Sequence, residues 1–219
     1  CPKCQGRNRE DWIQTRETEL LPVPYFHVVF TLPEVLNKTA LHEPKMLYDT
    51  LFETAWETLQ TFGKNKNLQM GMIAVLHTWG QNLSLHPHLH CIVPGGGVDE
   101  NGAWKNIKND GKFLFSVKAL SKVFRAKFCE KLKANLKDKF NENQENEYEK
   151  IRQSLWEKPW VVYAKKPFGS PKSVVEYLGR YTHKIAISNG RIRGIDDKTV
   201  TFDYKDYRQK GIKKQMVLS

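Results

Sequence analysis

The segment HTWGQNLSLHPHLHCIV, residues 77 to 93, constrains this chain more than any other stretch. Three of the seven histidines of the sequence fall within the five residues 86 to 90. Successive side chains of a β-strand point to opposite faces, so His88 and His90 would share one face while Leu89 turns toward a core. Two neighbouring imidazoles on a rigid strand are a good start for a divalent-metal site. The alternative is that both are ordinary surface histidines of a strand.

The segment before these histidines is expected to supply a third ligand. Its apolar, β-branched run MIAVLHTW has strand character, and the turn-forming GQNLS follows it. A hairpin with His77 opposite His90 also sets Trp79 opposite His88, and directly opposed residues share a face with Cβ atoms roughly 5 Å apart. His77 is therefore the predicted third ligand. Gln81 has the same strand parity but lies nearer the turn, so it is the alternative third ligand.

The composition narrows the class of protein. The 219 residues are enough for one substantial domain, or for one domain with an appendage. A net charge of +11 favours a polyanionic partner, most often nucleic acid, although solubility alone is the alternative. We expect no signal peptide, and no apolar run approaches the ~20 residues that cross a bilayer. The four cysteines do not suggest a disulfide framework, which favours a reducing cytosol.

The N-terminal CPKC places Cys1 and Cys4 at the spacing of half a zinc-ribbon or zinc-finger ligand set. A tetrahedral site needs two further ligands, and nearby residues supply none. We interpret residues 1 to 19 as the end of an N-terminal zinc-binding module and its linker, with Zn²⁺ as the expected ion. The alternative is a surface CxxC that binds no metal.

Two further segments carry predictions about the core and the surface. The run YFHVVFTL, bounded by Pro24 and Pro33, predicts a buried strand, in which His27 is expected to be a hydrogen-bonded histidine at the core edge and not a ligand. From residue 116 to about 139 the sequence predicts a helix with one apolar face and many lysines on the remainder. A solvated charged face and a DNA-backbone surface are equally open interpretations of those lysines.

The segment from 160 to 192 begins with a predicted strand, WVVYA. Ser170 can cap a helix that starts with Pro171 at its first position. Tyr177 and Tyr181 lie one turn apart on the flank of that helix. Taken alone, two tyrosines at this spacing indicate amphipathic packing with hydroxyls that reach water. The following KIAIS predicts a strand.

Together these residue types support one chemistry. A tyrosine hydroxyl can break a phosphodiester of single-stranded DNA if a divalent cation polarises the scissile phosphate. The phenol has a pKa near 10, so it must be activated on contact. The products would be a 5′-phosphotyrosine and a free 3′-hydroxyl, which can be rejoined without ATP. A second tyrosine one helical turn away would allow two strands to be held in sequence.

His88-Leu89-His90 is an HUH motif, in which U is an apolar residue, and Tyr177-Leu-Gly-Arg-Tyr181 is a YxxxY pair. HTWGQNLSLHPHLHCIVPGGG and YLGRYTHKIAISNGRI resemble stretches of the two-tyrosine HUH transposases of bacterial rolling-circle insertion sequences, and the resemblance extends over most of residues 20 to 210. It implies an α+β fold, with a central antiparallel β-sheet flanked by helices and related to ferredoxin-like or RNA-recognition folds. We expect residues 20 to 219 to form this catalytic domain, truncated at its C-terminus.

The same resemblance assigns roles to residues. Tyr177 and Tyr181 would be the nucleophiles and His88 and His90 the ligands of Mg²⁺ or Mn²⁺, while Cys1 and Cys4 would be the last two ligands of a zinc module that is mostly missing. The expected partner is single-stranded DNA at transposon ends, in the bacterial cytoplasm near the nucleoid. Further DNA contacts are predicted at four cations, for which surface charge is the alternative: Arg180, Lys184, Lys165 and Lys166.

Three other functions stay open at this stage. A plasmid or phage rolling-circle replication initiator uses the same centre. A noncatalytic nucleic-acid-binding module would use the basic helix and the cysteines and form no covalent product. A zinc-dependent hydrolase would need a carboxylate base near the histidines, and the sequence has no HExxH pattern.

Overall fold

A computed structural model describes residues 2–107, 114–137, 142–165, 170–182 and 186–219, and it gives only the backbone of residues 2–5, 137, 142–148, 171–172, 178, 180–182 and 208. The helices are α1 (Pro2–Thr18), α2 (Asn37–His42), α3 (Pro44–Lys64), α4 (Val117–Lys137), α5 (Glu142–Glu157) and α6 (Pro171–Thr182). The strands are β1 (Tyr25–Thr31), β2 (Gln69–Met70), β3 (Ile73–Trp79), β4 (Leu85–Pro94), β5 (Gly96–Val98), β6 (Trp104–Asn106), β7 (Val162–Lys165), β8 (Ile192–Ile195), β9 (Val200–Asp206) and β10 (Ile212–Leu218).

The main sheet has the strand order β3-β4-β1-β7, and every neighbouring pair is antiparallel. Helices pack on both faces of this sheet, so the predicted α+β fold with a central antiparallel sheet is confirmed. The predicted strand YFHVVFTL is confirmed as β1, an inner strand between β4 and β7. Proline cannot donate to a β-ladder, which is why the prolines at 24 and 33 lie just outside this strand.

One face of the main sheet forms the larger core. Val28 and Phe30 of β1 and Leu89, Cys91 and Val93 of β4 are fully buried there, beneath α3 and α4. These residues are two apart in each strand, as the alternation of side chains requires. Complete burial of a large apolar side chain contributes about 1.5–3 kcal/mol, so this face fixes the orientation of both strands. The residues between them therefore point to the opposite face, and they include histidines 27, 88 and 90.

The opposite face carries α6. Val174 and Val175 of this helix are buried against Ile92 of β4 and Tyr25 of β1. The start of α6 is as predicted, because the Ser173 amide donates to the Oγ of the capping serine at 170 over 3.2 Å and the helix begins at the following proline. The two valines hold the tyrosine-bearing helix against the sheet face that carries the histidines.

Two smaller sheets complete the described residues, with orders β2-β5-β6 and β10-β9-β8. The predicted strand KIAIS is wrong where the structure describes it, at 186–188, and residues 183–185 lie outside the described part. The Arg191 amide donates to the Ser188 carbonyl over 2.9 Å in a 3₁₀ turn at Asn189–Arg191, so the strand begins only at Ile192. None of the described helices is long and apolar enough to span a bilayer.

The basic helix α4 uses part of its charge within the chain. Lys131 lies 2.9 Å from a carboxylate oxygen of Glu57 and 3.1 Å from one of Glu53, both on α3. The Arg125 guanidinium stacks over the ring of Trp156 at 4.4 Å. These cations attach α4 to its neighbours, and the exposed lysines of the described part of the helix are a smaller set: 118, 122 and 133.

The crossing of α1 over α6 depends on Gly179. A Cβ atom built at this position would lie 2.5 Å from both Cγ1 and Cδ1 of Ile13, which is itself buried. Real carbon atoms do not approach so closely, so any larger residue forces Ile13 or the helix to move. Gly179 lies within the YxxxY pair, and the closest approach of the N-terminal helix is therefore to the helix that carries the tyrosines.

We expect Gly179→Val to lower the free energy of unfolding by about 1–3 kcal/mol, the usual cost of an overpacked contact. Ile13→Ala alone removes buried methylene groups and also destabilises the protein. The double variant should be more stable than the sum of the two losses predicts, because the smaller Ile13 side chain leaves room for valine. Urea denaturation of the four proteins gives the coupling energy. Strictly additive losses would show that this contact does not limit the helix crossing.

Candidate metal centre and tyrosine helix

The histidine hairpin forms with a different register from the predicted one. His77 pairs with His88, Trp79 pairs with Leu85, and His90 pairs with Val75. The predicted pairs are therefore wrong, by two residues at His77 and by three at Trp79, because the register also shifts between these two residues. The physical reason is the turn, which closes at Gly80–Ser84 through a 2.9 Å hydrogen bond from the amide of residue 80 to the carbonyl of residue 84. Strand β4 consequently resumes at Leu85, before the histidines begin.

A register shift of two residues preserves the face on which each side chain lies, because the alternation in a strand has a period of two. His77, His88 and His90 are therefore still neighbours, and one nitrogen from each ring lies within 4.8 Å of the other two. Their ring centroids are 4.8–5.4 Å apart. Gln81 lies in the turn beyond the last pair of the hairpin, where its carbonyl oxygen accepts a hydrogen bond from Arg191.

The tautomer of His88 follows from its hydrogen bond to the backbone. Its Nδ1 lies 2.6 Å from the carbonyl oxygen of His86, and a carbonyl only accepts, so Nδ1 carries the proton. In neutral His88 the lone pair is therefore on Nε2, which lies 3.1 Å from Nε2 of His90. Adjacent ligands of an octahedral cation with bonds of about 2.1 Å are separated by about 3.0 Å. The Nε2 atoms of His88 and His90 thus lie at the separation of two adjacent ligands, and a ligand atom of His77 lies within 4.8 Å of both rings' nitrogens.

Sequence reasoning missed the partner of His27, although it predicted a hydrogen-bonded histidine at the core edge. His27 is 3% exposed, and its Nε2 lies 2.9 Å from Nδ1 of His90. The two rings are within 6° of parallel, with centroids 5.1 Å apart. Burial, and secondarily the positive charge of Lys165, lower the pKa of His27 from 6.5 to about 4. The position of His27 in an apolar strand indicates that it is buried and needs a hydrogen-bond partner. The identity of that partner depends on the pairing of β1 with β4, which the local sequence does not show.

Helix α6 presents one tyrosine to this group. The ring of Tyr177 lies against His27 in a T-shaped contact, with centroids 5.2 Å apart and ring planes at 69°. Tyr177 is half-buried, so part of its side chain faces solvent. The contact connects the tyrosine helix to the histidine cluster through one imidazole.

The remaining predicted site residues are described to different extents. Lys165 pairs with His27 across β1 and β7, so its exposed side chain lies on the histidine face of the sheet. Cys4 lies on α1, which is described there as backbone only. The side chains of the other predicted residues lie outside the described part of the chain: Cys1, Lys166, Arg180, Tyr181 and Lys184.

Two family models match the sequence. The model named Y2_Tnp, described as "Putative transposase", matches residues 71–219. The model named Zn_Tnp_IS91, described as "Transposase zinc-binding domain", matches residues 1–32. The second match includes both N-terminal cysteines and extends beyond residue 19, the predicted end of the zinc module, which stays a prediction.

Individual proteins are also similar to this chain. "Putative transposase y4qJ" of Sinorhizobium fredii is 42% identical over 230 residues, which cover 100% of this chain and 58% of the relative. "Transposase for insertion sequence element IS801" of Pseudomonas savastanoi pv. phaseolicola is 29% identical over 95% of this chain and 51% of the relative. The chain thus spans little more than half the length of these curated relatives.

One solved structure is a more distant match. It is titled "The structure of TrwC complexed with a 27-mer DNA comprising the recognition hairpin and the cleavage site", and it has a TM-score of 0.39 and 14% identity over 49% of this chain and 44% of that chain. That likeness is too distant to support a statement about this protein. The family match over residues 71–219 is different in kind, because it covers more than half of the sequence and includes both the HUH and the YxxxY motifs. The chain therefore belongs to the two-tyrosine transposase family of bacterial rolling-circle insertion sequences.

Proposed function

We propose that this chain nicks and rejoins single-stranded DNA at transposon ends through a covalent phosphotyrosine. The observation that carries the proposal is the chain of contacts from Tyr177 through His27 to His90, because it joins a nucleophile to a cluster of three imidazoles. Membership of a transposase family agrees with this chemistry.

His77, His88 and His90 would hold the cation, which when bound polarises the scissile phosphate and raises its susceptibility to attack. Magnesium prefers oxygen ligands, so Mn²⁺ is the better of the two expected ions for three imidazoles and is the ion used in the tests. The role of the sheet is to hold the three rings in place before DNA binds.

In the nicking step, the hydroxyl oxygen of Tyr177 or Tyr181 bonds to phosphorus, and the bond from phosphorus to the 3′ oxygen breaks. The tyrosine proton leaves to water, and the released 3′ oxygen takes up a proton to become a hydroxyl. In the rejoining step a 3′-hydroxyl attacks the phosphotyrosine and releases the tyrosine. The energy of the phosphodiester is kept in the covalent bond, so no nucleotide cofactor is required. The four-residue spacing of the tyrosines would let each hold one strand.

A DNA strand that enters this centre would meet two exposed residues of β7. Lys165 lies beside His27 on the histidine face and would pair with a phosphate. Tyr163 is 52% exposed, lies two residues earlier on the same strand, and could stack on a base. Backbone charge and base stacking together are the usual means of binding single strands without reading sequence.

The N-terminal cysteines are proposed ligands of structural zinc. Cys1 and Cys4 would be two of the four ligands of such a site, in agreement with the zinc-binding model that matches residues 1–32. Because α1 packs against α6, such a module would be attached directly to the tyrosine helix.

The covalent step is tested with a 3′-labelled single-stranded element end and Mn²⁺. We expect an SDS-resistant adduct, because the tyrosine keeps the 5′-phosphate of the labelled fragment. Tyr177→Phe combined with Tyr181→Phe should abolish the adduct while circular dichroism remains native. Tyr207→Phe, at a tyrosine that is 70% exposed, is the matched control and should leave the adduct intact.

An adduct that persists in the double variant would refute the nucleophile assignment. The noncatalytic alternative predicts no adduct even in the wild type. A replication initiator would form the same adduct, and family membership is the reason for preferring transposition over that alternative.

The metal site is tested by titrating the protein with Mn²⁺ and measuring the free ion by electron paramagnetic resonance. Mutation of an outer-shell partner typically lowers metal affinity about 10–100-fold, and removal of a direct ligand should cost at least as much. We therefore expect alanine at position 77, 88 or 90 to lower the affinity for Mn²⁺ by about 10–100-fold or more. His42→Ala removes an exposed imidazole from α2 and should have no effect. Unchanged affinity in all three cluster variants would exclude this cluster as the metal site.

The DNA contact is tested by the salt dependence of single-strand binding. Lys165→Ala should reduce the slope of log K against log salt concentration by about 0.7, the value for one phosphate contact on a single strand. Lys133→Ala is the control, because this exposed lysine lies on α4, across the sheet from the histidines. An unchanged slope in Lys165→Ala, or an equal decrease in both variants, would contradict a specific contact at residue 165.

A further inference from the structure

The hydrogen bonds around the histidine cluster fix the direction of a chain of imidazoles. The His86 carbonyl requires the proton of His88 to be on Nδ1, which leaves Nε2 of His88 as an acceptor. The only hydrogen-bonding arrangement for its 3.1 Å contact then has Nε2–H of His90 as donor. Neutral His90 consequently carries no proton on Nδ1, and this atom accepts a hydrogen bond from Nε2–H of His27 at 2.9 Å. In this set of tautomers His27 donates to His90, His90 donates to His88, and His88 donates to the backbone carbonyl of His86.

A cation at the cluster requires the opposite arrangement. To ligate through Nε2, neutral His90 must carry its proton on Nδ1, because a neutral imidazole has one N–H. That Nδ1–H can be kept only if the neighbour at 2.9 Å accepts it, and the neighbour is Nε2 of His27. The proton of His27 must then lie on its Nδ1. Loading the cluster thus changes the tautomer of two rings with no change in net protonation.

We infer that His27 is the positioning residue of this centre, which holds His90 in its metal-binding tautomer and orientation; this inference rests on the proposed metal site. The outer-shell partner of a ligand histidine is normally a carboxylate, a carbonyl or water. A carboxylate or a carbonyl only accepts, so it fixes one tautomer of the ligand, and a water molecule can exchange with solvent. An imidazole can donate or accept at the same atom, so it serves the cluster both with and without the cation. His27 is 3% exposed, so its ring is shielded from bulk water in the folded chain.

The second nitrogen of His27 explains why it is a positioning residue and not a base for the tyrosine. Its Nδ1 is buried and has no hydrogen-bond partner among the described residues. In the cation-bound tautomer this atom carries the proton, while Nε2 is engaged by His90, so neither nitrogen has a free lone pair. The ring centroids of His27 and Tyr177 are 5.2 Å apart, so His27 supports the tyrosine by ring packing and not by accepting its proton. The same side chain therefore orients the ligand His90 and contacts the proposed nucleophile.

The inference is tested in the wild-type protein by long-range ¹⁵N NMR of the histidine rings, with Zn²⁺ as a diamagnetic probe of the cluster. Without metal, we expect the proton of His27 on Nε2; after addition of Zn²⁺, we expect it on Nδ1, together with the proton of His90. A His27 proton that stays on Nε2 when zinc is bound at the three histidines would overturn the inference. This measurement needs no variant and therefore does not depend on whether a substitution folds.

Two variants test the energetic contribution. His27→Phe keeps a ring of similar size but cannot accept a hydrogen bond, and we expect its Kd for Mn²⁺ to rise about 10–100-fold, the usual cost of losing an outer-shell partner. His27→Gln provides an amide oxygen as acceptor and should recover most of the affinity. His42→Phe is the matched control and should bind Mn²⁺ like the wild type.

The outcomes separate this inference from the function on which it rests. If wild-type protein binds no Mn²⁺ at the cluster, the proposed metal site fails. If the wild type binds and His27→Phe binds equally well with an unchanged melting temperature, the metal site stands and the role of His27 is refuted. Equal losses in the phenylalanine and glutamine variants would point to packing at residue 27 and would also refute a role as hydrogen-bond acceptor.

Discussion

The candidate site depends on the alternation of side chains along two adjacent strands, β1 and β4. Val28 and Leu89 are fully buried on one face, and this burial obliges the intervening histidines to point the other way. A slip by one residue would exchange the faces and bury the imidazoles in the larger core, at the cost of several unsatisfied polar groups. The buried apolar residues of β1 and β4 therefore determine the face on which the histidines lie.

Helix α6 completes the site because its apolar residues pack on the sheet face that carries the histidines. Val174 and Val175 are buried against the histidine face, and Tyr177, at the next position on that side of the helix, reaches His27. Gly179 lets α1 cross close behind. The tyrosine helix is therefore packed between the sheet and the N-terminal helix, and this packing places Tyr177 against His27. This arrangement suits the proposed role of Tyr177 as a nucleophile, which must be oriented before single-stranded DNA binds.

The fold class was predicted from the resemblance to a known family, whereas the buried strand β1, the start of α6 and the membership of the histidine cluster follow from strand periodicity or from a cap. His77 was identified even though its register was wrong, since a shift of two residues leaves every side chain on its face. The role of His27 could not be predicted, because its neighbours are distant in the sequence. His90 is 63 residues away on β4, and Tyr177 lies on helix α6. The predicted strand KIAIS is wrong for a local reason, because a 3₁₀ turn at Asn189–Arg191 delays the strand to Ile192.

Three buried imidazoles make the centre costly to fold without partners. His27, His77 and His90 are 3%, 4% and 8% exposed, and an unsatisfied buried polar group costs about 1–3 kcal/mol. Hydrogen bonds between rings remove much of that cost, and they do so with groups that can exchange donor and acceptor roles. A carboxylate in place of His27 would fix one arrangement and would introduce a buried charge that needs a counter-ion. A neutral imidazole at position 27 adds no charge beside the three histidines, and neutral histidines have the lone pairs that a divalent cation requires.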